Sequence, residues 1–152
     1  MKIEAYLNEA GVKYEKHEHS TAYTAQEMAA EEHIPGDAVA KCVLVQADER
    51  PVVCVLPASH KVDLLKLADA LEAAECRLLD ETEMARLFPD VEVGAEPPFG
   101  RPYGVETLVD AHLAKCRAIV FPAGSHQEAI RMNYEDYAHL EKPRVADFAV
   151  HL

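Results

Sequence analysis

Two β-branched runs, Val39–Gln46 (VAKCVLVQ) and Val52–Leu56 (VVCVL), are separated only by Ala-Asp-Glu-Arg-Pro. Runs this continuously apolar do not read as strands with one wet face. They require burial on both faces, and therefore helices packed on the sheet they belong to. The short polar connection predicts a hairpin. A cover for one face is close by in Val62–Ala73 (VDLLKLADALEA), where Leu64, Leu65, Leu67, Ala68 and Leu71 fall along one side of a helix.

The rest of the chain mixes both periodicities. Ile3–Ala10 places Ile3, Leu7 and Ala10 at helical spacing with Gly11 as a C-terminal cap, and Val12–His19 alternates as a strand. Thr24-Ala-Gln-Glu27 is a capping box for a helix reaching about His33, stopped by Pro35 and Gly36. Cys76–Leu79 reads as a brief strand, and Asp80-Glu-Thr-Glu83 caps a helix that Pro89 ends. Further on, Arg117–Phe121 and Glu128–Met132 read as strands around the turn Pro122-Ala-Gly-Ser125, Tyr134–Leu140 as a helix, and VADFAV as a terminal strand. Without strict βαβ alternation, the expected class is α/β (α+β): one domain over residues 1–152, with a mixed sheet of about six or seven strands and helices packed on it.

The totals exclude several functions. At 152 residues the chain can bury a core without disulfides or a structural metal. The four cysteines, Cys42, Cys54, Cys76 and Cys116, form no C-x-x-C pair, and three sit in apolar stretches as small hydrophobes. No run spans a bilayer and the N-terminus has no apolar signal core, so the expected location is cytoplasmic, without membrane partners. A net charge of −12 disfavours extended phosphate-backbone binding, so any nucleic-acid function rests on a few placed cations.

Lys41 is the first residue out of place. Its neighbours in VAKCVLV are core-like, and an unpaired buried ammonium is expensive. It either lies on the wet face of an edge strand or projects into a pocket to meet an anion. His17 and His19 share a face of their strand, but nothing supplies a third ligand and the other histidines form no H-x-x-x-H unit, so no metal is expected. G-x-S-x-G is absent, and Ser59-His60 alone is weak evidence for a nucleophile. Gly94–Gly104 (GAEPPFGRPYG) holds three of the six glycines and three of the nine prolines. Such a loop either holds main-chain N–H groups toward a ligand or stiffly connects two elements.

In three segments the sequence resembles the YbaK/EbsC family, whose fold is shared with the editing domain of bacterial prolyl-tRNA synthetases. These are Lys41 ahead of a hydrophobic strand, the G-x-x-x-P loop GAEPPFG with Gly94 and Pro98, and FPAGSHQEAIRMNYEDYAHL. The resemblance implies hydrolysis, in trans, of the ester joining a wrong amino acid to tRNA, with no cofactor, metal or covalent intermediate. Water, activated by the terminal ribose hydroxyl, would attack. Carried over, Gly94 and Ala95 would offer main-chain donors, Lys41 would meet the tRNA 3′ end, and Pro98 would fix a loop whose Phe99 and Gly100 also face substrate. Gly124, Ser125 and His126 would complete the pocket, His126 resembling the histidine that limits it in alanine-editing domains. The implied partners are aminoacyl-tRNA, with alanine on tRNA for proline the best match, and prolyl-tRNA synthetase. A non-catalytic aminoacyl-, nucleotide- or protein-binding module is the alternative. The ligand-based readings require Lys41, Gly94 and His126 to line one pocket.

Overall fold

The computed structural model describes residues 2–19, 21–22, 25–32 and 35–152. The expected hairpin is β2 (Ala40–Ala47) and β3 (Arg50–Pro57), antiparallel with Val43 opposite Cys54. It forms the centre of a five-stranded mixed sheet. β5 (Cys76–Leu78) flanks β2, while β6 (Glu106–Asp110) runs parallel to β3 and β9 (Arg144–Ala146) parallel to β6. β1 (Glu15–Glu18), β8 (Glu128–Asn133) and β7 (Ala118–Pro122) form an antiparallel second sheet, and β4 (His60–Val62) pairs with β10 (Ala149–His151) as a ribbon. The α/β class and the mixed sheet hold, with ten strands among the described residues in place of six or seven.

Both faces of the hairpin are buried, as its composition requires. Val45, Val52, Cys54 and Leu56 pack under α3 (Leu64–Leu71), which contributes Leu67 and Leu71. Leu65 departs from the expected apolar side and is 81% exposed. It falls one residue after Leu64, which shares the Leu67–Leu71 face at i+3 and i+7, and so points about 100° away from it. The opposite hairpin face, with Leu44, Val53 and Val55, is covered by a mixture of elements. Ile3 and Leu7 come from α1 (Ile3–Ala10), Ile119, Phe121 and Ile130 from the second sheet, and Tyr137 from α5 (Tyr134–Glu141).

Local signals explain most boundaries. Gly11 closes α1 in the left-handed region at φ 73°. Asp63 accepts from the N–H groups of Leu65 and Lys66 to start α3, so Val62 belongs to β4. α4 (Glu81–Leu87) opens with the expected capping box between Asp80 and Glu83. The helix expected from Thr24 is α2 (Ala25–Glu32); the Thr24 and His33 ends of that reading lie outside the described residues. The expected single terminal strand is split into β9 and β10. The buried Asp110 carboxylate takes the Phe148 and Ala149 N–H groups at 3.0 and 2.9 Å and turns the chain between them.

Candidate functional site

Lys41 sits where the two main sheets part. β5 pairs only with Val45–Ala47 of β2, and Val39, two residues before Lys41, bridges in parallel to Val120 of β7. The lysine thus leaves the sheet at a seam that α2 and the β7–β8 turn partly roof. Its side chain enters a cavity of about 140 Å³ with Gly94, Ser125 and His126 on the wall and Met28 of α2 opposite. β2 is not a solvated edge at this point. Among the described residues no carboxylate lies within ion-pair distance of Lys41; its ammonium makes one long hydrogen bond, 3.5 Å to the Ala58 carbonyl. Burial pushes its pKa below the ordinary lysine value.

The Gly94 loop is stitched to the β7–β8 turn through main chain. The Glu92 N–H donates to the Gly124 carbonyl at 2.9 Å and the Gly124 N–H to the Ala95 carbonyl at 3.1 Å. Gly94 adopts φ +90°, a region that side-chain-bearing residues rarely enter, and a Cβ there would meet His126 Cε1 at 3.3 Å. The close approach matters because the His126 ring is held on both sides. Its Nδ1 lies 3.1 Å from the Ala22 carbonyl and its Nε2 2.9 Å from the Val93 carbonyl. Carbonyls only accept, so the neutral ring makes one of these contacts as a hydrogen bond and the imidazolium makes both. Ser125 lines both this cavity and a second one of about 250 Å³ across the turn, to which Gly124 also belongs.

The main-chain donors expected at Gly94 and Ala95 are turned inward. The Gly94 N–H donates to Glu96 Oε2 at 2.6 Å, and the Ala95 N–H to the Glu92 carbonyl at 2.9 Å. Ala95 is fully buried and does not line the cavity. Glu96, unremarked in the sequence, is 3% exposed and organises the loop from within; burial raises its pKa, against the opposing pull of the main-chain N–H groups it faces. The available signal was a single acid in a loop that otherwise carries only small, cyclic and aromatic residues.

Pro98, Phe99 and Gly100 lie outside the cavity altogether. The Pro98 carbonyl accepts from the Tyr137 hydroxyl at 2.7 Å, and Phe99 is fully buried in edge-on contact with Tyr6, Phe121 and Tyr137. A Cβ on Gly100 would come within 2.6 Å of the Val105 carbonyl oxygen and 2.7 Å of Thr107 Oγ1. These residues anchor the loop in the core. Aromatic and glycine residues in a sequence pattern read as ligand-facing are also what a tightly packed anchor requires, which is why the two uses are not separable by composition.

His17 and His19 go to different surroundings. His17 Nδ1 contacts Glu32 Oε1 at 2.5 Å, and His19 contributes to the wall of the Lys41 cavity.

A half-buried lysine, a glycine turn and a held histidine thus line one small cavity of a mixed α/β domain. The particular family follows from comparison: residues 19–140 match the aminoacyl-tRNA editing domain, and the chain belongs to that family. No curated protein sequence matches it. Among solved structures it is similar to hypothetical protein APE2540, with TM-score 0.89 and 18% identity over 99% of this chain and 100% of that one. It is also similar to a proposed trans-editing enzyme for prolyl tRNA synthetase, with TM-score 0.84 and 18% identity over 97% and 94% of the two chains. The same fold occupies 30% of a longer chain, a proposed signal transduction protein from Marinobacter aquaeolei VT8, matched over 97% of this chain at TM-score 0.73 and 20% identity. No helix among the described residues is long and apolar enough to cross a membrane.

Proposed function

We infer that this editing-domain protein is an aminoacyl-tRNA deacylase acting in trans, with a small wrong amino acid such as alanine on tRNA for proline as its substrate. The observation that carries this reading is the convergence of Lys41, Gly94, Ser125 and His126 on one cavity. At about 140 Å³ the space suits a small aminoacyl group and not a large one. The His126 ring, fixed between two carbonyls, limits its depth.

In this mechanism the Lys41 ammonium, with no carboxylate partner among the described residues, meets the terminal phosphate or ribose of the tRNA. Its burial strengthens that attraction over what an exposed lysine offers. An aminoacyl ester is already activated, so fixing it beside a water and its own ribose hydroxyl supplies much of the catalysis. The inward-turned Gly94 and Ala95 amides act by holding the wall rigid, the His126 ring, its nitrogens directed at the Ala22 and Val93 carbonyls, shapes the pocket, and the Ser125 hydroxyl is a polar group on the wall facing the ester. With a net charge of −12, recognition centres on the acceptor end, with prolyl-tRNA synthetase as the partner that delivers the rest of the tRNA.

The inward amides also favour a second reading, a binding module that holds an aminoacyl-nucleotide without turnover. Incubation of micromolar protein with alanyl-, cysteinyl- and seryl-tRNA for proline separates the two. Deacylation of the alanyl species above the buffer rate supports the enzyme. Saturable binding of an aminoacyl-adenosine mimic with all three esters intact supports the module.

A further inference from the structure

Three histidines far apart in the sequence, His60, His112 and His151, meet beside the β4–β10 ribbon. Strand register puts His151 directly opposite His60, and the turn after β6 brings His112 against the same ring. The ring centroids of His112 and His151 lie 4.6 and 5.0 Å from that of His60.

Each ring has its Nδ1 engaged by oxygen. His112 Nδ1 lies 2.6 Å from Asp110 Oδ2, an acceptor-only carboxylate. Ser59 Oγ donates its single hydrogen to Asp37 Oδ1, so toward His60 Nδ1, 2.9 Å away, it can only accept. His151 Nδ1 faces the Leu152 main-chain oxygen at 3.0 Å. In all three neutral rings the hydrogen therefore sits on Nδ1, and Nε2 keeps its lone pair. That is the tautomer through which a divalent transition ion is bound, and an oxygen on Nδ1 is the partner that orients such a ligand. With metal–nitrogen bonds of about 2.0–2.1 Å, imidazoles sharing one ion have centroids about 4.5 Å apart at a right angle and about 5.2 Å apart at a tetrahedral angle. The two separations from His60, to His112 and to His151, fall inside that range.

Carboxylates complete the picture. Among the described residues, Asp110, His112 and Asp147 are the group whose donor atoms all lie within 4.8 Å of one another; the three imidazoles are neighbours that have still to close to that distance. Asp110 is fully buried and its oxygens hold the Phe148, Ala149 and His112 N–H groups together with His112 Nδ1, so it serves as the outer partner of that histidine. Asp147 is exposed, with an ion pair to Lys66 at 2.9 Å through Oδ1.

We propose that His60, His112 and His151 bind one zinc-class divalent ion through Nε2, a swing of the exposed His112 and His151 side chains that keeps their Nδ1–oxygen contacts closing the site and Asp147 supplying a carboxylate oxygen. The ion clips β10 to β4 and to the turn after β6. It is independent of the editing reading and requires no metal at the Lys41 cavity.

The test uses untagged, chelator-treated protein titrated with Co²⁺ and then Zn²⁺, followed by visible absorption and calorimetry. One ion per chain is expected, with a nitrogen/oxygen cobalt spectrum that zinc abolishes. His112→Ala and His151→Ala, checked for fold by circular dichroism, each weaken binding by at least about 10-fold. Zinc raises the melting temperature of the parent protein and not that of the double variant. Absence of saturable binding up to millimolar zinc, a thiolate-to-cobalt charge-transfer band, or unchanged affinity in both variants overturns the proposal.

Discussion

The two halves of GAEPPFG, each carrying one glycine, do opposite work. The first, Gly94–Glu96, puts Gly94 on the edge of the Lys41 cavity, bends through φ +90° there and is held by a buried carboxylate. The second, Pro98–Gly100, is sunk between Tyr137, Phe121 and Thr107 and touches no cavity assigned to substrate. A wall residue held in a precise place needs a fixed anchor, and a loop whose far half is core cannot drift. Such motifs therefore mix residues that meet ligand with residues that make the meeting reproducible.

Substitutions along the loop separate those roles. Gly100→Ala has the largest expected effect on stability, because the new methyl would overlap main-chain oxygen at 2.6 Å. Chemical denaturation is expected to show a loss of about 3 kcal/mol or more, in line with overpacking at a site that cannot yield. Gly94→Ala is next, at about 1–2 kcal/mol for the left-handed backbone. It displaces His126, so aminoacyl-adenosine affinity is expected to fall further than stability does. If Gly94→Ala binds normally, the first half of the loop is scaffold like the second.

Glu96 tests what holds the wall. Glu96→Ala leaves the Gly94 N–H without its acceptor, with an expected cost of about 1–3 kcal/mol in urea unfolding, while Glu96→Gln keeps an acceptor oxygen and costs less. The folded-state pKa of Glu96 is raised, so the native protein holds that proton more tightly than the unfolded chain. Its contribution therefore declines as pH rises from the ordinary carboxylate range through the raised value, and Glu96→Gln is expected to flatten that part of the stability profile. At the small end, Leu65→Ala on the exposed side of α3 is expected to shift stability by no more than about 0.5 kcal/mol.

The central hairpin, its double-sided burial, the α3 cover and the α4 capping box were legible because each rests on local periodicity or a side chain within three residues. The split of VADFAV was not, since it depends on Asp110, 38 residues before Phe148. For the site, Lys41 stood out by being charged among apolar neighbours, and the resemblance placed it with Gly94 and His126. The direction of the Gly94 and Ala95 amides was hidden, because glycine and alanine carry no mark of which way their N–H points. Pro98, Phe99 and Gly100 were read toward ligand and face the core. The His60–His112–His151 cluster escaped for the same reason as the Asp110 turn: only tertiary pairing brings the three segments together.

The central claim, that the cavity holding Lys41 is where the aminoacyl ester is cleaved, is tested most directly by the single-turnover deacylation rate of alanyl-tRNA for proline with the parent protein and with Lys41→Ala. The account predicts a loss of about 10²-fold or more, the scale of losing substrate positioning, with an unchanged or higher melting temperature, since the variant no longer buries an ammonium without a carboxylate partner. Deacylation at the parent rate by a folded Lys41→Ala protein would contradict it.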